Sequence, residues 1–167
     1  MSIAEKYLAE LKQEAVTTRK ILKIVPLEKG DWKPHIKNLS LLKLASHVAE
    51  LPNYLYTTIS QDELDFAKSE YKPSVPASSE ELLSIFEKNL KKAELALTNC
   101  SDEEMGKNWT MRNGDTIFFS SPRDSVIRSL CLNHLVHHRA QLGLYLRLLD
   151  VPIPGSYGPS ADDKAGM

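Results

Sequence analysis

The stretch CLNHLVHHRAQLGLYLRLL, residues 131–149, decides how this chain is interpreted. Its apolar residues recur at steps of three and four, which is the period of a helix with a buried side. His134 and His138 are four residues apart, so on a helix they lie about 40° apart around the axis and one turn apart along it. Two such rings can bind one ion. His137 neighbours His134 at three residues, so spacing alone leaves two candidate pairs.

A third ligand has to come from another helix, because two imidazoles do not complete a transition-metal site. His47 is the strongest candidate, since it lies beside Leu44, Val48 and Leu51 within a second helical stretch. Three neutral nitrogens suit zinc or nickel first, and also iron or copper, far better than calcium or magnesium. The competing interpretation is that each ring is an ordinary core residue with a satisfied hydrogen bond.

Four segments have helical periodicity with start and stop signals, which predicts one all-α domain over residues 1–167, a four-helix bundle with long connections. The predicted helices cover residues 3–24, 40–60, 78–99 and 121–149. The signals include Ser40 as an N-cap, Ser78 with Glu81 as a capping box, and Ser121-Pro122 as the start of the last helix. Pro52 is expected to kink or divide the second helix.

The connections carry three further predictions. NWTMRNGDTIFFS, residues 108–120, has two β-prone runs around Asn113-Gly114, which predicts a small β-hairpin or flap between the third and fourth helices. DELDFAKSE, residues 62–70, is a candidate short helix. The tail from Val151 to Asp163 is rich in Pro and Gly but also holds Tyr157, Asp162 and Asp163, which suits a lid that folds back, whereas the base rate for a terminal segment favours disorder.

Composition points to a small-molecule partner. The chain has 167 residues, 42% of them hydrophobic, which is enough for one core and too short for two ordinary domains. A formal net charge of −1 favours neither nucleic acid nor an anionic membrane surface. No secretory signal or membrane-spanning stretch is visible, so we expect a cytoplasmic protein. The two cysteines do not suggest a disulfide framework. We expect a homodimer, because that is the commonest assembly of soluble proteins.

Two stretches of the sequence resemble DinB-like proteins of the DinB/YfiT type. GDWKPHIKNLSLLKLASHVAELPNY, residues 30–54, is similar to the second-helix region of that family, with a serine cap and a histidine inside the helix. NHLVHHRAQLGLYLRLLDVPIPGSYGPSADD, residues 133–163, is similar to its final-helix signature. The resemblance covers essentially the whole chain. It implies a helical bundle with a three-histidine metal centre formed by His47, His134 and His138.

The resemblance also leaves His137 outside the ligand set and implies that the tail from Val151 to Asp163 is ordered. One departure from the family pattern is visible. Ile36-Lys37-Asn38 stands where Pro-Lys-Ser is expected. Characterised relatives include thiol-dependent S-transferases and isomerases, so the resemblance implies that a low-molecular-weight thiol is activated at an open metal site. A metal-dependent hydrolase is the runner-up, and a non-catalytic stress-response protein that binds metal or small molecules also fits these residues.

Four residues outside the ligand set are candidates for the chemistry. Glu50 lies three residues after His47, so it is expected to orient that ring or to act as a general base. Arg139 and Gln141 flank the ligand helix and, with Tyr157 of the tail, are expected to contact a cofactor or an anionic substrate. Each of them is, by base rate, more often a surface or structural residue.

Overall fold

Helices make up most of the computed structural model, which describes residues 1–163. The long helices are α1 (Ile3–Lys23), α2 (Leu41–Ser60) and α3 (Ser79–Thr98). The short ones are a 3₁₀ turn (Leu27–Lys29), α4 (Asp102–Gly106) and α5 (Arg123–Val126). π-Helical turns (Ile127–Asn133) join α5 to α6 (His134–Leu148). The strands are β1 (Glu63–Asp65), β2 (Asn108–Asn113) and β3 (Thr116–Pro122).

The core lies between the long helices, each of which turns one apolar side inward. Leu11 of α1, Val48 of α2, Phe86 of α3 and Leu146 of α6 are all nearly inaccessible to solvent. This confirms the prediction of a mainly helical protein, because helical periodicity along the sequence becomes the buried side of each helix. Within residues 1–163, no helix is long and apolar enough to cross a membrane.

Two of the three predicted N-terminal helix signals, Ser40 and Ser78, act where the sequence places them. Ser40 accepts a hydrogen bond from Lys43 N at 3.4 Å, and Ser78 accepts one from Glu81 N at 3.1 Å. The Glu81 carboxylate accepts from Ala77 N rather than from the cap residue, so the reciprocal half of that capping box is displaced by one residue. Pro52 is buried inside α2 and does not divide it, because core packing offsets the lost backbone hydrogen bond.

A three-stranded sheet adds to the predicted all-α class. β2 and β3 pair antiparallel, with Gly114 at a φ of 56° in the turn between them. β1 pairs parallel to β2, so the prediction of a short helix over residues 62–70 is wrong. Pairing with a strand 47 residues further along the chain, as in Glu63 opposite Thr110, overrides a weak local helix preference. The Asp65 carboxylate accepts from Gly114 N at 2.9 Å, which ties β1 to the hairpin turn.

The predicted start of the last helix at Ser121-Pro122 is also wrong. β3 continues to Pro122, because Ser121 pairs with Trp109 across the sheet, and the helix begins at Arg123. Arg123 is buried and donates from Nε to Thr58 O at 2.9 Å. The beginning of the last helical segment is therefore fastened to the C-terminal end of α2.

The tail is ordered as far as Asp163, where the described residues end. Asp162 pairs with Arg147 of α6 at 2.5 Å and accepts from Ile153 N at 2.9 Å. Tyr157 donates to the Glu14 carboxylate at 2.8 Å. The tail thus folds back across α6 to α1, and residues 164–167 lie outside the described part of the chain.

Candidate metal centre

Three histidines from two helices meet in the interior. His47 comes from α2, while His134 and His138 come from the first two turns of α6. Their candidate ligand nitrogens all lie within 4.8 Å of one another. The ring centroids are 5.1 Å apart for His47 and His134, 4.7 Å for His47 and His138, and 4.5 Å for His134 and His138. This is a cluster that can hold one metal ion.

The distance between two of the nitrogens matches a coordination site. Metal–nitrogen bonds of about 2.0–2.1 Å in a tetrahedral site place neighbouring ligand nitrogens about 3.3–3.4 Å apart. His47 Nε2 and His134 Nε2 are 3.4 Å apart. The same distance is too long for a normal hydrogen bond between two ring nitrogens.

Hydrogen bonds to the other ring nitrogens fix the tautomers. His134 Nδ1 donates to Leu130 O at 3.1 Å, and His138 Nδ1 donates to Gln141 Oε1 at 2.7 Å. Each acceptor is a carbonyl oxygen, so the proton resides on Nδ1 and the lone pair on Nε2. Metal-ligating histidines are usually held in this way through their second nitrogen.

The helix is irregular at the point where the Leu130 carbonyl meets the His134 ring, because the π-helical turns end directly before His134. In an α-helix the backbone N–H of His134 would bind the oxygen of Leu130, four residues earlier. Here that N–H binds Cys131 O instead, and the His134 ring binds Leu130 O. Such π turns occur frequently at functional sites.

Burial keeps the three rings neutral. Burial, with a smaller contribution from the nearby His138 and His134, lowers the pKa of His47 to about 4, while Glu50 acts in the opposite direction. The pKa values of His134 and His138 are also lowered, again mainly by burial. At neutral pH all three rings therefore present uncharged nitrogen, which is the form that binds a metal.

His137 lies outside this cluster. Its side chain is exposed, although its ring centroid is 4.8 Å from that of His138. The structure thus favours the pair at four residues, which spacing alone did not choose. His137 is a natural control position for experiments on the site.

Glu50 is buried near the cluster but is occupied elsewhere. It lies one turn after His47, and 8% of it is exposed. Its carboxylate accepts hydrogen bonds from the Tyr71 hydroxyl and, at 2.8 Å, from Ser74 N. These contacts hold the segment after β1 against α2. A role in orienting His47 or as a general base stays a prediction.

The other predicted site residues divide into two groups. Gln141 contacts the histidine cluster directly, because its side chain is hydrogen-bonded to His138. Arg139 faces α1, where its buried guanidinium pairs with Glu14 at 2.6 Å and donates to Thr18 at 3.2 Å and Tyr157 at 3.2 Å. Arg139 and Tyr157 thus contact each other and α1. These contacts do not test whether Arg139 and Tyr157 bind a substrate or cofactor, so that role stays a prediction.

Sequence reasoning missed the aromatic residue beside the cluster. The Tyr54 ring centroid lies 6.5 Å from the centroids of both His47 and His134. Tyr54 also lines a cavity of about 620 Å³ between α2, α3 and the segment that begins with β1. A signal was available in the sequence, because Tyr54 lies two turns after His47 on the same side of α2.

Comparisons with known proteins agree on one family. The model of the DinB family matches residues 1–166. A DinB-like protein from Bacillus subtilis has a similar structure, with a TM-score of 0.69, 14% identity, and coverage of 90% of this chain and 96% of the other. A DinB-like protein from Bacillus cereus also has a TM-score of 0.69, with 20% identity and coverage of 92% and 97%. No curated protein matches the chain.

Proposed function

The chain belongs to the DinB family, and from that premise we propose that it is a metal-dependent enzyme that transfers a low-molecular-weight thiol to a small electrophile. One observation carries the proposal. The ring nitrogens of His47, His134 and His138 converge within 4.8 Å. Two of these rings have their Nδ1 protons engaged by carbonyl oxygens, so that Nε2 is free to bind.

The donor set suits zinc or nickel, and iron or copper next. A divalent ion held by three protein ligands keeps an open position and, when bound, supplies the Lewis acidity that lowers the pKa of a thiol. Three neutral imidazoles leave the charge of the ion uncompensated, which favours an anionic sulfur over a neutral ligand.

The residues of the chain supply orientation and partial exclusion of water. Leu130 O and Gln141 hold two of the rings in one tautomer, so the site needs little rearrangement on binding. Both oxygens of Glu50 are bound by Tyr71 and Ser74. A hydrolytic mechanism with Glu50 as general base would have to break these bonds, which supports transfer over hydrolysis.

The experiment is a turnover assay on the zinc-loaded and nickel-loaded protein with a panel of small thiols and chlorodinitrobenzene as the electrophile. We expect thiol-dependent product formation that is lost in His47→Ala and His134→Ala. His137→Ala is the matched control and should keep the activity, because its ring is exposed and outside the cluster. Circular dichroism checks that each variant is folded.

Two results would count against the proposal. Turnover that survives in His134→Ala would separate the chemistry from the histidine cluster. Metal binding with no turnover across the thiol panel would favour a non-catalytic binding protein, and ester hydrolysis without thiol would favour the hydrolase.

A further inference from the structure

The cavity beside the histidine cluster has the size of a ligand pocket. Its volume of about 620 Å³ lies within the range of about 300–1,000 Å³ that small-molecule sites occupy. Side chains of α2 form one wall, side chains of α3 form the opposite wall, and β1 with the segment after it closes a third side.

The α2 wall is shared with the candidate metal centre. Tyr54 lines the cavity, and its ring lies against both His47 and His134. Glu50 also lines the cavity, one turn beyond His47. A molecule in the cavity would therefore be separated from the histidine cluster by a single layer of side chains, to which Tyr54 belongs.

The third side is fastened by buried hydrogen bonds. The Glu50 carboxylate binds the Tyr71 hydroxyl and the backbone N–H of Ser74, and both of these residues line the cavity. Asp65, 8% exposed, accepts from Ala67 N at 3.0 Å and from Gly114 N at 2.9 Å. The segment from β1 to Ser74 is thus held in place near both of its ends, so this wall of the cavity is preformed.

The charged side chains that line the cavity differ in whether they have partners. The acidic residues already have cationic or N–H partners: Lys68 is 3.4 Å from Asp65 and 3.8 Å from Glu63. On the opposite wall, Lys88 and Lys92 of α3 form no ion pair with any carboxylate in residues 1–163. The Lys92 ammonium lies instead 5.5 Å from the centroid of the Tyr56 ring. The ammonium groups of the lining that have no carboxylate partner therefore lie on α3, whereas the Glu50 carboxylate on α2 is already bound by the Tyr71 hydroxyl and Ser74 N.

The rest of the lining is apolar or aromatic with amides between. Ile85 of α3 lies one turn before Lys88 and two turns before Lys92, and Leu64 and Phe66 come from the sheet side. Asn89 is held in place by donating to Ala49 O at 3.3 Å. An apolar body and one anionic group on the same molecule would match this surface.

We propose that this cavity is the substrate pocket of the metal centre and that it selects amphipathic organic anions. An aromatic or aliphatic body packs against Tyr54, Ile85 and Leu64, while a carboxylate or sulfonate lies at Lys88 and Lys92. The identification of the ligand as a substrate rests on the proposed function. The pocket and its charge preference do not, because they are properties of the metal-free chain.

Two dyes of similar shape test the charge preference on the full-length protein. Anilinonaphthalene sulfonate carries one anionic group, and N-phenylnaphthylamine has the same rings without it. We expect one-to-one binding of the anionic dye, followed by fluorescence, with the Kd weakened roughly tenfold in the Lys88→Ala/Lys92→Ala double variant. Binding of the neutral dye should change less than about twofold, since its apolar contacts remain. Lys91→Ala, an exposed lysine on α3 outside the lining, should leave both dyes unaffected.

A second variant tests the location. Ile85→Trp fills the cavity from a half-buried position, so it should weaken both dyes by tenfold or more. The proposal is overturned if the double variant binds the anionic dye like the wild type, if Lys91→Ala weakens it equally, or if Ile85→Trp has no effect. The titrations are run without metal, so failure of the thiol-transfer assay leaves their outcome intact, and failure of dye binding leaves the metal assay intact.

Discussion

Replacing Gln141 by leucine tests whether this side chain positions a metal ligand. Gln141 Oε1 accepts the Nδ1 proton of the half-buried His138 at 2.7 Å, which is at the short end of the normal range for such a bond. Leucine has a similar length but no acceptor, so the ring is free to rotate or to adopt the other tautomer. Removing a partner of this kind typically weakens metal affinity about 10- to 100-fold, which is roughly 1.4–2.8 kcal/mol.

The assay is competition for zinc between the protein and a fluorescent chelator at neutral pH. We expect the Kd of Gln141→Leu to rise at least tenfold, while Gln141→Glu keeps an acceptor and stays near the wild-type value. Stability of the metal-free protein should change little, because Gln141 is only half-buried. Equal affinities for the wild type and Gln141→Leu would refute the positioning role, and so would a glutamate variant as weak as the leucine one.

Two further predictions concern the protein without metal. Arg139→Met removes the cationic partner of the buried Glu14 carboxylate, 2.6 Å away, and leaves it only the Tyr157 hydroxyl. Urea unfolding should therefore show a loss of about 3–5 kcal/mol, which adding Glu14→Leu largely restores. A loss under about 1 kcal/mol would contradict this. Stability should also decrease as the pH falls from 6.5 towards 4. Unfolded histidines take up protons in that window, whereas the folded protein keeps His47 neutral down to a pKa of about 4. Urea unfolding of the wild type and His47→Gln at several pH values checks the sign, and an equal slope for both would contradict it.

Local sequence signals predicted the three long helices α1, α2 and α3, and they predicted part of the histidine cluster. Ser40 and Ser78 mark helix starts in the structure as they do in the sequence, because caps act over three or four residues. Helix geometry places His138 beside His134, but it places His137 there as well, and only the resemblance to the DinB family chose between the two. The caps and the closeness of these rings are local features, so one sequence suffices to predict them.

Features that depend on distant contacts were not predictable. β1 exists because β2 lies beside it, and Ser121 belongs to a strand because Trp109 pairs with it. The partners of Arg139 are Glu14 and Tyr157, which the sequence separates from it by 125 and 18 positions. Long-range pairing of this kind leaves no periodic trace around the residues involved.

The placement of Glu50 shows the same limit within the site. Its spacing from His47 suggested a role at the metal, whereas its buried carboxylate binds Tyr71 and Ser74 from a segment about 20 residues away. Helix geometry predicts which side of α2 carries Glu50, but the partner on that side depends on how the chain returns. The cavity formed by that return was therefore invisible in the sequence.

The central claim is that His47, His134 and His138 together hold one divalent transition-metal ion. The most direct test is anomalous scattering at the zinc and nickel absorption edges from crystals of the metal-equilibrated protein. We expect a single peak about 2.0–2.1 Å from one nitrogen of each of the three rings, with His137 uncoordinated. No peak between the rings, with His47 and His134 hydrogen-bonded to each other instead, would contradict the claim.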